Sequence, residues 1–147
     1  MPNPITMLKA DHVKVKGLLR QLEATGSRAV KERERLVSDI ERELKVHSQI
    51  EEELFYPTFK KVSEKTESED LFYEATEEHH VVDMVLPALK AANPKSHEFE
   101  AKAKVLKDLV EPLLSGQKLS RMSWLSMIGS FSSESIGVSA CARSSFS

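Results

Sequence analysis

His47 and Glu51 stand four residues apart in the run HSQIEEELFYP, in a strongly helical context, so both project from one face of a helix. Leu36, Ile40, Leu44 and Leu54 continue that face at the three-and-four spacing of a buried stripe. An imidazole and a carboxylate thus interrupt a core surface, and burying them costs free energy unless something pairs with both. A cation does so, because neutral imidazole nitrogen and carboxylate oxygen are both good donors to divalent transition metals. The competing reading is a buried hydrogen-bonded pair.

Two further histidines have the same character. His12 lies in the stripe Ile5, Leu8, His12, Val15, Leu18, Leu19 and Leu22, and His79 in the stripe Leu71, Phe72, Ala75, His79, Val82, Leu86 and Leu89. The two segments echo each other: each histidine is followed by Leu or Val six places on and by Leu at seven and ten. A lone histidine on an apolar face is usually a satisfied core residue. Three on three helices beside one carboxylate make a convergent metal site the stronger reading in an antiparallel bundle. His80 points about 100° around the helix from His79 and serves as an alternative ligand or a neighbour. Asp83 could supply another carboxylate, Glu52 and Glu53 should turn to solvent, and His97 should be exposed.

Four helices must position these groups. The first opens at Asn3-Pro4 and stops at Gly26. The second runs from about Arg28 to Pro57, which ends or kinks it, and the third opens near Asp70, bends at Pro87 and stops at Asn93-Pro94. The fourth starts after Ser96 as cap, with stripe Phe99, Ala103, Leu106, Leu109 and Leu113. Matching Leu44 with Leu109 sets Pro112 where His47 stands and Gly116 where Glu51 stands, so the fourth helix lacks the echo at the two residues that matter.

The chain has 147 residues, enough for one core. Lys+Arg 21 against Asp+Glu 23 gives a charge of -2 with the signs mixed, which argues against nucleic acid or an anionic membrane as partner. The single cysteine, Cys141, leaves no disulfide framework, and no apolar run approaches the roughly 20 residues of a membrane span. Lys9, Asp11 and His12 stand where a signal peptide needs apolar residues, so the cytoplasm is the expected compartment.

DHxxV around His12, HxxxEEELFYP around His47 and EHH around His79 resemble the haemerythrin-like HHE cation-binding domain over about residues 3–110. The resemblance implies an all-α, up-and-down four-helix bundle holding one or two non-haem iron ions. It makes His12, His47, Glu51 and His79 metal ligands, with His80 as substitute or neighbour. Relatives bind O2, sense O2, NO or iron, store or donate iron, or serve in stress response, and such a domain is not an enzyme in the usual sense, although redox activity at an iron centre is a weaker third reading. The family pattern asks for a second His-x-x-x-Glu block on the fourth helix, where this chain reads VEPLLSGQKLSRM. The alternative is a metal-free helical interaction module that self-associates or binds a protein, because a damaged fourth helix exposes apolar surface that a homodimer would cover.

Residues 1–114 are expected to form the helical domain and 115–147 an atypical, Ser-rich tail, partly helical or disordered. The tail has 12 serines in 33 residues against 6 in the preceding 114, and only Lys118, Arg121, Glu134 and Arg143 carry charge. A shifted reading frame or a gene rearrangement just past Glu111 would account for so abrupt a change.

Overall fold

In the computed structural model the described residues are 4–55, 57, 61 and 67–114. The Ser-rich tail and Asn3 lie outside them. Four helices follow one another: α1 Pro4–Ala24, α2 Val30–Ile50, α3 Glu67–Ala91 and α4 His97–Leu114, with a π-helical turn at Glu51–Phe55 continuing α2. α1 packs on α2 and α4, and α3 packs on the same two, so the bundle closes into a ring with α2 and α4 on one diagonal. This is the up-and-down four-helix bundle that the periodicity and the family resemblance predict.

Each helix buries one stripe. Leu8, His12, Val15, Leu19 and Leu22 point inward from α1, and Leu36, Ile40, Leu44 and His47 from α2, at steps of three and four. From α3 come Val82, Leu86 and Leu89. Removing a leucine such as Leu19, Leu36 or Leu106 from water, as each is here, stabilises the fold by roughly 1.5–3 kcal/mol apiece.

α4 is turned relative to the expected stripe. Phe99 and Leu106 are buried as expected, but Val110 and Leu114 complete the inner face while Leu109 and Leu113 are half-buried. Steps of four from Leu106 select Val110 and then Leu114, and a step of three followed by one of four selects Leu109 and then Leu113; both satisfy the helical period, and packing chooses the first. The shift moves Pro112 to the exposed side, so it does not occupy the position equivalent to His47. Nor does either internal proline break its helix: α3 runs through Pro87 and α4 through Pro112. Both prolines are exposed, and the carbonyls they leave without an N–H belong to Asp83 and Asp108, also on exposed positions where water can bond them. α3 opens at Glu67, a turn earlier than expected.

The helix ends follow from local chemistry. Thr25 Oγ1 donates to the Leu22 carbonyl at 2.6 Å as α1 gives way to the turn at Gly26. Ser96 caps α4, accepting the Phe99 N–H at 3.1 Å.

Arg33 is a buried charge that periodicity did not single out. It is 2% exposed, and its guanidinium donates to Thr25 Oγ1 (3.0 Å), the Thr25 carbonyl (2.8 Å), the Pro94 carbonyl (2.6 Å) and Glu100 Oε1 (3.0 Å). It also lies 5.2 Å from the Phe99 ring centroid. One side chain therefore ties the α1–α2 turn to the α3–α4 turn, with four of its five N–H donors bonded.

Ion pairs cross the seams between neighbours: Lys14 with Glu43 at 2.6 Å, Lys90 with Glu41 at 2.7 Å, and Lys107 with Glu23. Their lysines or glutamates are largely in solvent, so each contributes little to stability.

Candidate metal centre

The inward stripes deliver their polar members to one level of the bundle. His12 comes from the middle of α1, His47 from the last turn of α2, and Glu51 from the first position of the π-turn, where its N–H is shared between the carbonyls of His47 and Ser48. His12 and His47 are buried at 6% and 5% exposure among Leu8, Val15 and Leu44 of their own stripes.

His12 Nε2 lies 3.1 Å from His47 Nε2, and His47 Nε2 lies 3.0 Å from Glu51 Oε1. The two rings meet edge to face, 4.6 Å between centroids. His79 arrives from α3 on the far side of the carboxylate, its Nε2 3.1 Å from Glu51 Oε2. Ligand atoms of His12, His47 and Glu51 all fall within 4.8 Å of one another, the one group of that kind among the described residues.

Protonation shows why this cluster is unusual. Each imidazole nitrogen carries at most one hydrogen, and a carboxylate only accepts. If His12 donates to His47, Glu51 Oε1 faces a nitrogen with no hydrogen for it; if His47 donates to Glu51, the His12 nitrogen has no lone pair to aim at. No tautomer gives all three atoms a linear hydrogen bond. Burial lowers the His12 pKa to about 4, helped by the neighbouring His47 and Lys16 and opposed by Glu51, so near neutral pH His12 is an uncharged ring with a free lone pair. For Glu51, burial pushes the carboxyl up, but hydrogen bonds from His47 and His79 and their charge outweigh it and hold the pKa down at about 2. Burial also depresses His79, and its bonds to Glu51 and proximity to Glu52 more than reverse this, raising its pKa. An uncharged His12 nitrogen, the His47 nitrogen and an ionised carboxylate form a donor set suited to a divalent cation, and separations of 3.0–3.1 Å are those of adjacent donor atoms on one ion with bonds of about 2.1 Å.

The match to a family model settles the relationship: the Hemerythrin HHE cation binding domain model covers residues 3–115. The chain belongs to that family. No curated protein and no solved structure matches the chain. Cation binding is thus the property of this HHE domain that both its family and its polar cluster support.

Not every histidine expected at the site reaches it. His80 faces solvent, 63% exposed, with Nδ1 3.6 Å from Glu77, and Asp83 is exposed as well. His97 is fully exposed at the start of α4. Glu53 turns outward as expected, accepting from Gln49 at 2.9 Å. Glu52 is 59% exposed, yet its carboxylate reaches to 3.6 Å from His79 Nδ1. The π-turn, which the sequence pattern did not predict, favours this approach. A π-turn holds more residues per turn than the 3.6 of an α-helix, so successive side chains splay by less than about 100° and Glu52 stays nearer the Glu51 side.

On α4 the level of the centre can be fixed by counting from Arg33 and Glu100, which are bonded near the start of two helices running the same way. Fourteen residues on, His47 stands level with Leu114, 5% exposed. Among the described residues α4 adds no ligand-type side chain to the cluster. No helix among them is long and apolar enough to cross a membrane.

Proposed function

We propose that this HHE domain is a non-haem iron-binding protein acting by reversible coordination, in sensing or holding iron or a small diatomic ligand such as O2 or NO, and that it is not an enzyme. The observation that carries this reading is the triad of His12 Nε2, His47 Nε2 and Glu51 Oε1, donor atoms of two buried histidines and a half-buried glutamate that no arrangement of their own hydrogens satisfies. His12, His47, Glu51 and His79 are the proposed ligands. When bound, iron supplies a Lewis-acidic, redox-active centre.

The chain's own residues set the conditions. His12 stays neutral and offers its lone pair because burial disfavours its cation. Glu51 stays ionised and brings the negative charge, one oxygen toward His47 and the other toward His79, so it can serve one ion or link two. Leu8, Val15, Leu44 and Val82, one turn from the ligands along their helices, restrict water around the site. With Leu114 level with His47, one ion held from three helices is the stoichiometry this donor set favours, leaving coordination positions for an exogenous ligand. A cytoplasmic setting fits the balanced charge and the single cysteine.

Anaerobic reconstitution with ferrous iron tests the proposal. The protein should take up close to one iron per chain, and His47→Ala and Glu51→Ala should remove that binding; uptake far below one iron per chain by the unaltered protein would sink it.

A second reading, the metal-free interaction module, draws on the exposed apolar side chains Val13, Tyr73 and Met84, each 65% exposed or more. Chelator-insensitive melting together with a mass that rises with concentration would favour it.

A further inference from the structure

Three consecutive acids leave the end of α2 in three directions. Glu51 enters the cluster, Glu53 pairs with Gln49 on the surface, and Glu52 reaches toward His79. His79 is enclosed, 14% exposed, with a carboxylate on each side: Nε2 is 3.1 Å from Glu51 Oε2 and Nδ1 is 3.6 Å from Glu52 Oε1. Its Nδ1 has essentially no contact with solvent and no hydrogen-bond partner among the described residues. An imidazole that gives one nitrogen to a metal needs an acceptor on the other to fix its tautomer and hold its plane, and carboxylates commonly take that part.

Resting on the metal-centre reading above, we propose that Glu52 is the positioning residue for His79: it accepts the Nδ1 hydrogen, which leaves the Nε2 lone pair directed at the Glu51 side of the centre. Glu52 is on the exposed outer side of the π-turn, where a small rotamer change brings 3.6 Å within hydrogen-bond range. The chain thereby supports from outside the cluster a ligand that α4 does not help to hold. In the π-turn Glu52 is rotated from Glu51 by somewhat less than the about 100° of an α-helix, which favours the approach to His79.

Cobalt(II) titration of the full chain, followed optically, tests the assignment. Glu52→Gln should weaken cobalt binding by roughly tenfold or more, the usual effect of losing such a partner, and shift the visible absorption of the bound ion. Glu53→Gln should leave both unchanged, Glu52→Asp should restore part of the affinity, and the urea midpoint of the metal-free Glu52→Gln protein should match that of the unaltered chain. In a His79→Ala background, Glu52→Gln should cost little further, because its effect travels through the ring. The assignment is overturned if Glu52→Gln binds within twofold of the unaltered protein, if Glu53→Gln loses as much, or if the loss is the same with and without His79. These results would leave the metal centre standing, whereas no cobalt binding by the unaltered chain would overturn the centre and the role of Glu52 together.

Discussion

The Nε2 atoms of His12 and His47, 35 residues apart in the chain, face each other at 3.1 Å across the seam between α1 and α2. Without a cation this contact is a net burden on the fold, since each ring has lost water and gained at best one shared hydrogen.

His12→Leu should therefore separate stability from binding. The leucine extends the stripe of Leu8 and Val15, and His47 is left free to donate to Glu51. We expect the metal-free protein to gain about 1 kcal/mol in urea denaturation at neutral pH while iron uptake falls at least a hundredfold. A destabilised variant that still binds iron would contradict both halves.

Acid should weaken the metal-free protein in a defined window. His12 has a folded pKa of about 4 against its ordinary 6.5, so the unfolded chain takes up this proton first as pH falls. Stability attributable to His12 is complete above about pH 6.5 and declines to pH 4, by roughly 3 kcal/mol for a shift of that size. Glu51, held down at about 2 against 4.5, adds a second loss that begins below pH 4.5 and runs toward pH 2. His79 acts oppositely: its raised pKa gives stability that is full below 6.5 and is lost as pH rises through the folded value. Urea midpoints in the presence of chelator between pH 7 and pH 4 measure the first window, and His12→Leu should flatten it.

His80→Ala should leave metal affinity within about twofold, because that ring is on the solvent side of α3, whereas His79→Ala should weaken it tenfold or more. Isothermal titration with one divalent metal distinguishes the adjacent pair; the reverse order would mean that α3 presents its other face to the centre.

Arg33→Ala should cost roughly 2–4 kcal/mol, since it leaves the carbonyls of Thr25 and Pro94 without their donor and opens the space over Phe99. Glu100→Gln should cost far less than Arg33→Ala, because its carboxylate is half in water. Chemical denaturation of the two variants provides the comparison.

Much of this was legible in the chain itself. The three-and-four spacing around His12, His47 and His79 locates three inner faces, and the HxxxE step brings Glu51 onto one of them. Three things were not. The choice between Leu109 and Val110 on α4 is degenerate in the helical period, and only packing against α1 and α3 breaks the tie. Arg33 looks like one more surface charge in a run of them; its burial depends on two turns, at Thr25 and Pro94, that are distant in sequence. The π-turn depends on a change of hydrogen-bond register that residue types do not announce; Glu52 faces solvent as expected, but its approach to His79 was not legible. Pro112 sits inside α4 without ending it, because the carbonyl it orphans can reach water.

Arg33 and His47 lie fourteen residues apart on α2, which is about 21 Å along its axis. The clasp at one pole thus holds the turns together without help from the polar cluster at the other. This division of labour lets the cluster gain or lose ligands while the scaffold persists, so a domain of this build can drift in metal chemistry without first drifting in fold.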